Sequence, residues 1–323
     1  MRSWRLASAR VWATRILVGS LATGGALSLP SPSPAEEGRV LGGYRFLPST
    51  VVADPFLTSH FRNFTGIATA QNVTVPFVII DGPPPDTLFT LGGDLLYVNA
   101  RFEYQQRVHS RWAVRLKGGG ASRVGTNGQA IISQGVTAIF TIAGGATYLL
   151  RQSERWNLSA TGDVGFGSGL KIGLLEFLDD YLLGGNDTAS LVQTSDGVTY
   201  HLGLRAAWAP RTWWGLTALG EYGGTNTDSF LSDTVWRFGA TASMDFRQRG
   251  GVPLGILGIV NVDHLTQSAE TIGTSVTLGL GFFYTGREDF AIGLESSWAR
   301  IPLEDRDVVV KPSSTGLGLR YYF

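Results

Sequence analysis

After residue 62 the sequence is governed by one pattern: apolar and polar side chains alternate singly over runs of ten residues or more. In LLYVNARFEY, Leu96, Val98, Ala100, Phe102 and Tyr104 share one parity, while Leu95, Tyr97, Asn99, Arg101 and Glu103 share the other. Successive side chains of an extended chain point to opposite faces, so this spacing predicts a strand with one apolar and one polar face. The pattern recurs. Trp112, Val114 and Leu116 oppose Arg111, Arg115 and Lys117, and Trp236, Phe238, Ala240, Ala242, Met244 and Phe246 oppose Arg237, Thr241, Ser243, Asp245 and Arg247.

Twelve such runs are predicted, near 64–79, 93–107, 110–122, 135–151, 155–168, 197–209, 212–223, 234–248, 252–264, 274–285, 289–300 and 313–323. Short polar connections such as VHSR, QSER and GRED alternate with longer ones such as GGTNTDSFLSD and IPLEDRDVVVKPS. A soluble β-sandwich also alternates. Two features weigh against it. The runs are longer than the usual ~5–6 residues and suit the ~9–11 that cross a bilayer obliquely. Trp and Tyr also gather near strand ends, at Trp112, Trp156, Trp208, Trp213, Trp214, Tyr222, Trp236, Tyr284, Trp298 and Tyr321, as in interfacial girdles. The fold class is therefore all-β: an antiparallel transmembrane β-barrel of about 12 strands. Strand edges in hydrocarbon are very costly, so the last strand must pair with the first.

Composition narrows the function classes. Lys+Arg and Asp+Glu are equal at 26, which removes the electrostatic case for nucleic acid. There is no cysteine, which excludes disulfides, thiolate metal sites and a lipid-bearing cysteine. Arg2, Arg5, Arg10 and Arg15 precede the apolar run ILVGSLATGGALSL and the small residues Ser33 and Ala35. That order predicts a secretory signal over 1–35, cleaved after Ala35, because the apolar run is short for a span of ~20. Residues 36–62 then form a periplasmic segment and 63–323 the barrel.

The chain ends GLGLRYYF. Leu317, Leu319, Tyr321 and Phe323 share one parity, and Arg320 has the other. This ending resembles the C-terminal signal of bacterial outer-membrane β-barrels. The resemblance implies a bacterial outer-membrane location with both termini periplasmic. It also implies recognition by the barrel-assembly machinery, and lipid and lipopolysaccharide as neighbours.

With the apolar faces against lipid, the other faces line a lumen. The candidates there are Arg101, Glu103, Arg111, Arg115, Lys117, Asp163, Arg205, Glu221, Arg237, Asp245, Arg247, Asp263, Glu295 and Arg320. Two readings fit: charge rings that tune a polar passage, or ion pairs that fill and stiffen a narrow barrel. Twelve strands fall between filled barrels of eight and open channels of 16 or more.

Two stretches break the alternation. In GLKIGLLEFLDDYLLGG, Leu174, Leu175, Leu178, Tyr181 and Leu182 recur at helical spacing opposite Glu176, Asp179 and Asp180. This predicts a short amphipathic helix in the longest loop, either a lid on the pore or a helix packed at the surface. Residues 36–61 are apolar, with YRFLPSTVVADPFL at their centre. By position and apolarity they resemble the N-terminal segment that plugs fatty-acid transporter barrels, and a disordered leader is the alternative.

Some 12-stranded barrels are lipases that use a Ser–His pair, since serine needs an adjacent base. Here His264 has lipid-facing parity, with Thr274 as its expected cross-strand neighbour and Ser268 and Ser275 near in sequence. Nothing in the sequence fixes a triad, and no enzyme is expected. Glu304, Asp305 and Asp307 lack the spacing of a calcium loop, and no metal or cofactor is expected. The sequence therefore favours a channel for passive or facilitated passage of a small solute. A structural or adhesive barrel with partner-binding loops is the alternative, and a lipid-acting enzyme a more distant one.

Overall fold

The computed structural model describes residues 38–79, 86–124, 135–172, 192–227, 232–267, 270–302 and 309–323. Twelve strands form the wall: β3 (His60–Ile79), β4 (Asp86–His109), β5 (Trp112–Val124), β6 (Gly135–Gln152), β7 (Trp156–Ile172), β8 (Val192–Arg211), β9 (Trp214–Thr227), β10 (Ser232–Asp245), β11 (Leu254–Gln267), β12 (Glu270–Tyr284), β13 (Phe290–Pro302) and β15 (Pro312–Tyr322). A short strand β14 (Val309–Val310) pairs with the end of β13. Every wall strand runs antiparallel to its neighbour in sequence, and β15 pairs back onto β3, with Leu317 opposite Thr65 and Tyr322 opposite His60. The ring closes, so no wall strand leaves its hydrogen-bonding groups to lipid.

Parity sorts the wall as alternation requires. Ile67, Phe140, Val164, Leu202, Leu204, Phe238 and Leu294 lie on the outside and are exposed. In β15, Leu317 and Tyr321 are exposed outward while Arg320 and Tyr322 are buried inward. A continuous apolar outer surface of this kind is the lipid-facing surface of a membrane barrel. Aromatic rings collect at its margins. Tyr104 stacks on Phe323 at 5.9 Å and Trp112 meets Tyr148 at 4.7 Å at the end carrying the short turns. Tyr222 meets Trp236 at 4.7 Å towards the other end.

Most strand limits shift by a few residues from the sequence reading, and three shifts change the place of a named residue or segment. β3 begins at His60, so this histidine belongs to the wall. β10 stops at Asp245, and Arg247 starts a one-turn helix α1 (Arg247–Gly250) that reverses the chain. Residues 169–172, taken as the start of the loop helix, extend β7. Leu174, Leu175, Leu178, Tyr181 and Leu182 lie outside the described residues, as do Ser268, Glu304, Asp305 and Asp307.

Residues 38–59 pack inside the ring. They open with a hairpin of β1 (Val40–Leu41) and β2 (Tyr44–Arg45). Its two-residue turn, Gly42 and Gly43, has φ of 55° and 82°. Two successive positive φ values match the twist of a tight hairpin, and glycine takes them without strain. The Gly42 amide donates to the Glu154 carbonyl at 2.6 Å, which fastens the hairpin to the turn between β6 and β7. The buried apolar core is therefore internal and lies at the short-turn end. Leu41, Tyr44, Phe46 and Phe56 pack on Ala207 and Ala209. Leu47 and Val52 pack on Leu219, Leu257, Ile259 and Phe283.

Candidate functional site: the lumen

Beyond the apolar packing, polar bonds tie the inner segment to five wall strands. The Tyr44 hydroxyl donates to Ser243 at 2.6 Å. Arg62 on β3 donates to the Ser49 carbonyl at 2.7 Å. Gln105 on β4 donates to the carbonyls of Phe56 and Thr58 at 2.8 and 2.9 Å. The Thr50 amide lies 3.0 and 3.2 Å from the two Glu295 carboxylate oxygens on β13, and the Thr50 hydroxyl donates to the same carboxylate. Arg320 on β15 holds Asp54 at 2.5 Å. Burial alone would raise the Asp54 carboxyl, but the Arg320 guanidinium outweighs it and holds the group below the usual carboxylate range. Tyr44 is pushed up by burial and keeps its proton to donate.

The charged wall residues form a belt above this segment. Asp163 on β7 accepts from Arg115 at 2.9 and 3.0 Å and from Lys117 at 3.0 Å. Both cations are on β5, so the Asp163 side chain reaches across β6. Gly145 is its register partner there, and a β-carbon at Gly145 would come within 1.9 Å of the Asp163 carboxylate. The belt continues through Arg205, which lies 4.0 Å from Asp163 and 2.9 Å from Glu221. Arg237 follows, 3.8 Å from Glu221 and 2.7 Å from Asp263. Acid and base thus alternate across β5, β7, β8, β9, β10 and β11. On the remaining arc, Glu103 accepts from Arg62 and His60 at 2.8 and 2.9 Å.

A chamber of about 440 Å³ lies between the belt and the inner segment, floored by Thr50, Val51 and Ala53. Arg101, Glu103, Lys117, Arg205, Glu221, Arg237, Asp263 and Glu295 line it. The other sequence candidates are elsewhere. Asp245 is buried at the short-turn end, where its carboxylate accepts from the Thr285 hydroxyl at 2.8 Å and the Arg247 amide at 3.0 Å. Arg247 therefore belongs to a turn, and Arg111 lies in the exposed turn between β4 and β5. Strand parity had placed both in the lumen because it cannot see where a strand stops. Arg115 and Arg320 are buried in contacts at and beneath the belt.

Sequence reasoning did not find Thr50, Asp54, Gln105 or Arg62 as lumen groups. Arg62 is the last residue of the 36–62 segment assigned from the sequence, and an alternating polar face starting at His60 was its available signal. His264 pairs with Thr274, and the two side chains approach to 3.1 Å. Ser275 is the register partner of Asp263 and points inward, so it is on the opposite side of the wall from His264.

No family model and no curated protein matches the chain. Solved structures do. The translocator domain of the autotransporter NalP from Neisseria meningitidis is similar at a TM-score of 0.51 and 12% identity, over 83% of this chain and 89% of that one. The β domain of the Bordetella autotransporter BrkA gives 0.49 and 13%, over 83% and 100%. The NanC porin gives 0.48 and 6%, over 81% and 100%. At these identities the likeness is one of fold. The closed ring of twelve strands, with its apolar exterior, has the fold of outer-membrane β-barrels.

Proposed function

We propose that the protein is a gated outer-membrane channel for a small polar solute, closed at the short-turn end by residues 38–59. The observation that carries this reading is the charged chamber of about 440 Å³ standing directly on that segment. Its floor is held by separable polar bonds, from Arg62, Gln105, Glu295 and Arg320, which a moving plug can break and remake. An inner segment built only to fill the barrel would have no use for a polar chamber above it. The short-turn end and both termini are taken as periplasmic, as in the barrels whose C-terminal ending the chain resembles. No catalysis is proposed, because His264 and Ser275 face opposite sides of the wall.

The ion-pair belt favours a second reading, a structural barrel whose lumen is closed for good. Planar-bilayer recording separates the two. The full chain should show rare or small openings, and a variant lacking residues 38–57 should show large, discrete ones. A folded deletion variant without conductance would replace the channel with the structural barrel.

A further inference from the structure

The chamber's charges are not fully matched. Five cations line it, Arg62, Arg101, Lys117, Arg205 and Arg237, and four of them are ion-paired. Arg62 has Glu103, Lys117 has Asp163, Arg205 has Glu221 and Arg237 has Asp263. Arg101 faces inward on β4, is exposed to the chamber, and has no hydrogen bond or ion pair among the described residues. The carboxylate whose field reaches it, Glu295, is already engaged by the amide and hydroxyl of Thr50.

A guanidinium presents a planar fork of donors suited to a carboxylate. The neighbouring arc of β15, β13 and β12 offers hydroxyls, from Ser314, Ser297 and Thr277. We infer that the chamber is a binding site for one small hydroxylated monocarboxylate, with its carboxylate on Arg101 and its hydroxyls towards the serine-rich arc. The inference deepens the channel reading by giving the solute a charge class, and it rests on the same chamber.

The test is calorimetric titration of the full chain in detergent with gluconate, using sorbitol as the uncharged counterpart. Gluconate should bind, and sorbitol should bind at least about tenfold more weakly. Arg101→Gln should weaken gluconate by about tenfold or more and leave sorbitol unchanged, while Arg101→Lys retains part of the preference. Heat-modifiable gel mobility verifies that each variant is a folded barrel. Equal binding of gluconate and sorbitol, no gluconate binding to the unmodified chain, or undiminished binding to Arg101→Gln overturns the site. Binding without any conductance would remove the channel and leave the site standing. Conductance without Arg101-dependent binding would do the reverse.

Discussion

The two halves of the lumen are built on opposite principles. At the short-turn end many inward positions are small or apolar, among them Ala207, Ala209, Leu257, Ile259 and Phe283, and they close on Tyr44, Phe46, Leu47, Val52 and Phe56. Above them the inward positions are charged and meet one another across the wall. The lower half is stabilised by burial of apolar area, at roughly 1.5–3 kcal/mol for each large side chain. The upper half gains little net energy from its charges, because desolvation offsets attraction, yet breaking one pair is costly. The apolar half can be vacated piece by piece. The charged half must stay whole, and that suits a plug below a fixed chamber.

The sharpest way to break the contrast is Asp163→Ala. Asp163 is 7% exposed and is shared by Arg115, Lys117 and Arg205. Its loss leaves three cations facing one another in the wall. Unfolding in urea should show a loss of about 3–5 kcal/mol, with the plug still docked. A loss below about 1 kcal/mol would mean that water screens the belt and that the two halves do not differ in this way. Leu257→Ala comes next, at about 2–4 kcal/mol, because Leu257 is fully buried against Leu47 and Val52. Its distinguishing sign is local: residues 38–59 should become open to protease while the barrel stays folded.

That difference between halves was partly legible before the structure. All twelve wall strands follow from alternation, most within four residues of their limits, because lipid outside and polar groups inside enforce strict parity. The signal for an internal occupant was also present. In PLGILGIVNVD the inward parity reads Gly255, Leu257, Ile259, Asn261 and Asp263, apolar near the turn and polar away from it. A lumen filled only with water would carry polar residues along its whole length. The partner of each charge was not legible. Arg115 and Asp163 are 48 residues apart and meet only because β6 places a glycine between them. Register and reach across a strand are properties of the assembled ring.

Acid should loosen the lower half through the Arg320–Asp54 latch. Arg320 holds Asp54 below the usual carboxylate range, so the folded value is depressed relative to the unfolded one of about 4. The latch therefore contributes fully above that pH and is lost as pH falls below it, through the folded value. Plug release, followed by protease cleavage within 38–59, should increase on acidification below about pH 4. Asp54→Asn should show raised release already at neutral pH and a flatter acid dependence. An unchanged acid dependence in that variant would assign the effect to another carboxylate, Glu295 being the next tether.

The smallest effect tests whether geometry or burial sets the value of an ion pair here. Arg287 and Asp289 form a two-bond pair at 2.9 and 2.7 Å, as short as Arg237 with Asp263 at 2.7 Å. The first pair lies in the turn before β13, with side chains 63% and 36% exposed. The Arg287 guanidinium lowers the Asp289 carboxyl even there. Water and salt screen it, however, and the unfolded chain solvates both groups equally well. Arg287→Gln should leave the urea midpoint, the plug and the conductance unchanged, whereas Arg237→Gln, inside the belt, should lower the midpoint measurably. Equal effects of the two substitutions would mean that bond length alone ranks these pairs, and the separation of the lumen into a replaceable apolar half and an indivisible charged half would lose its physical basis.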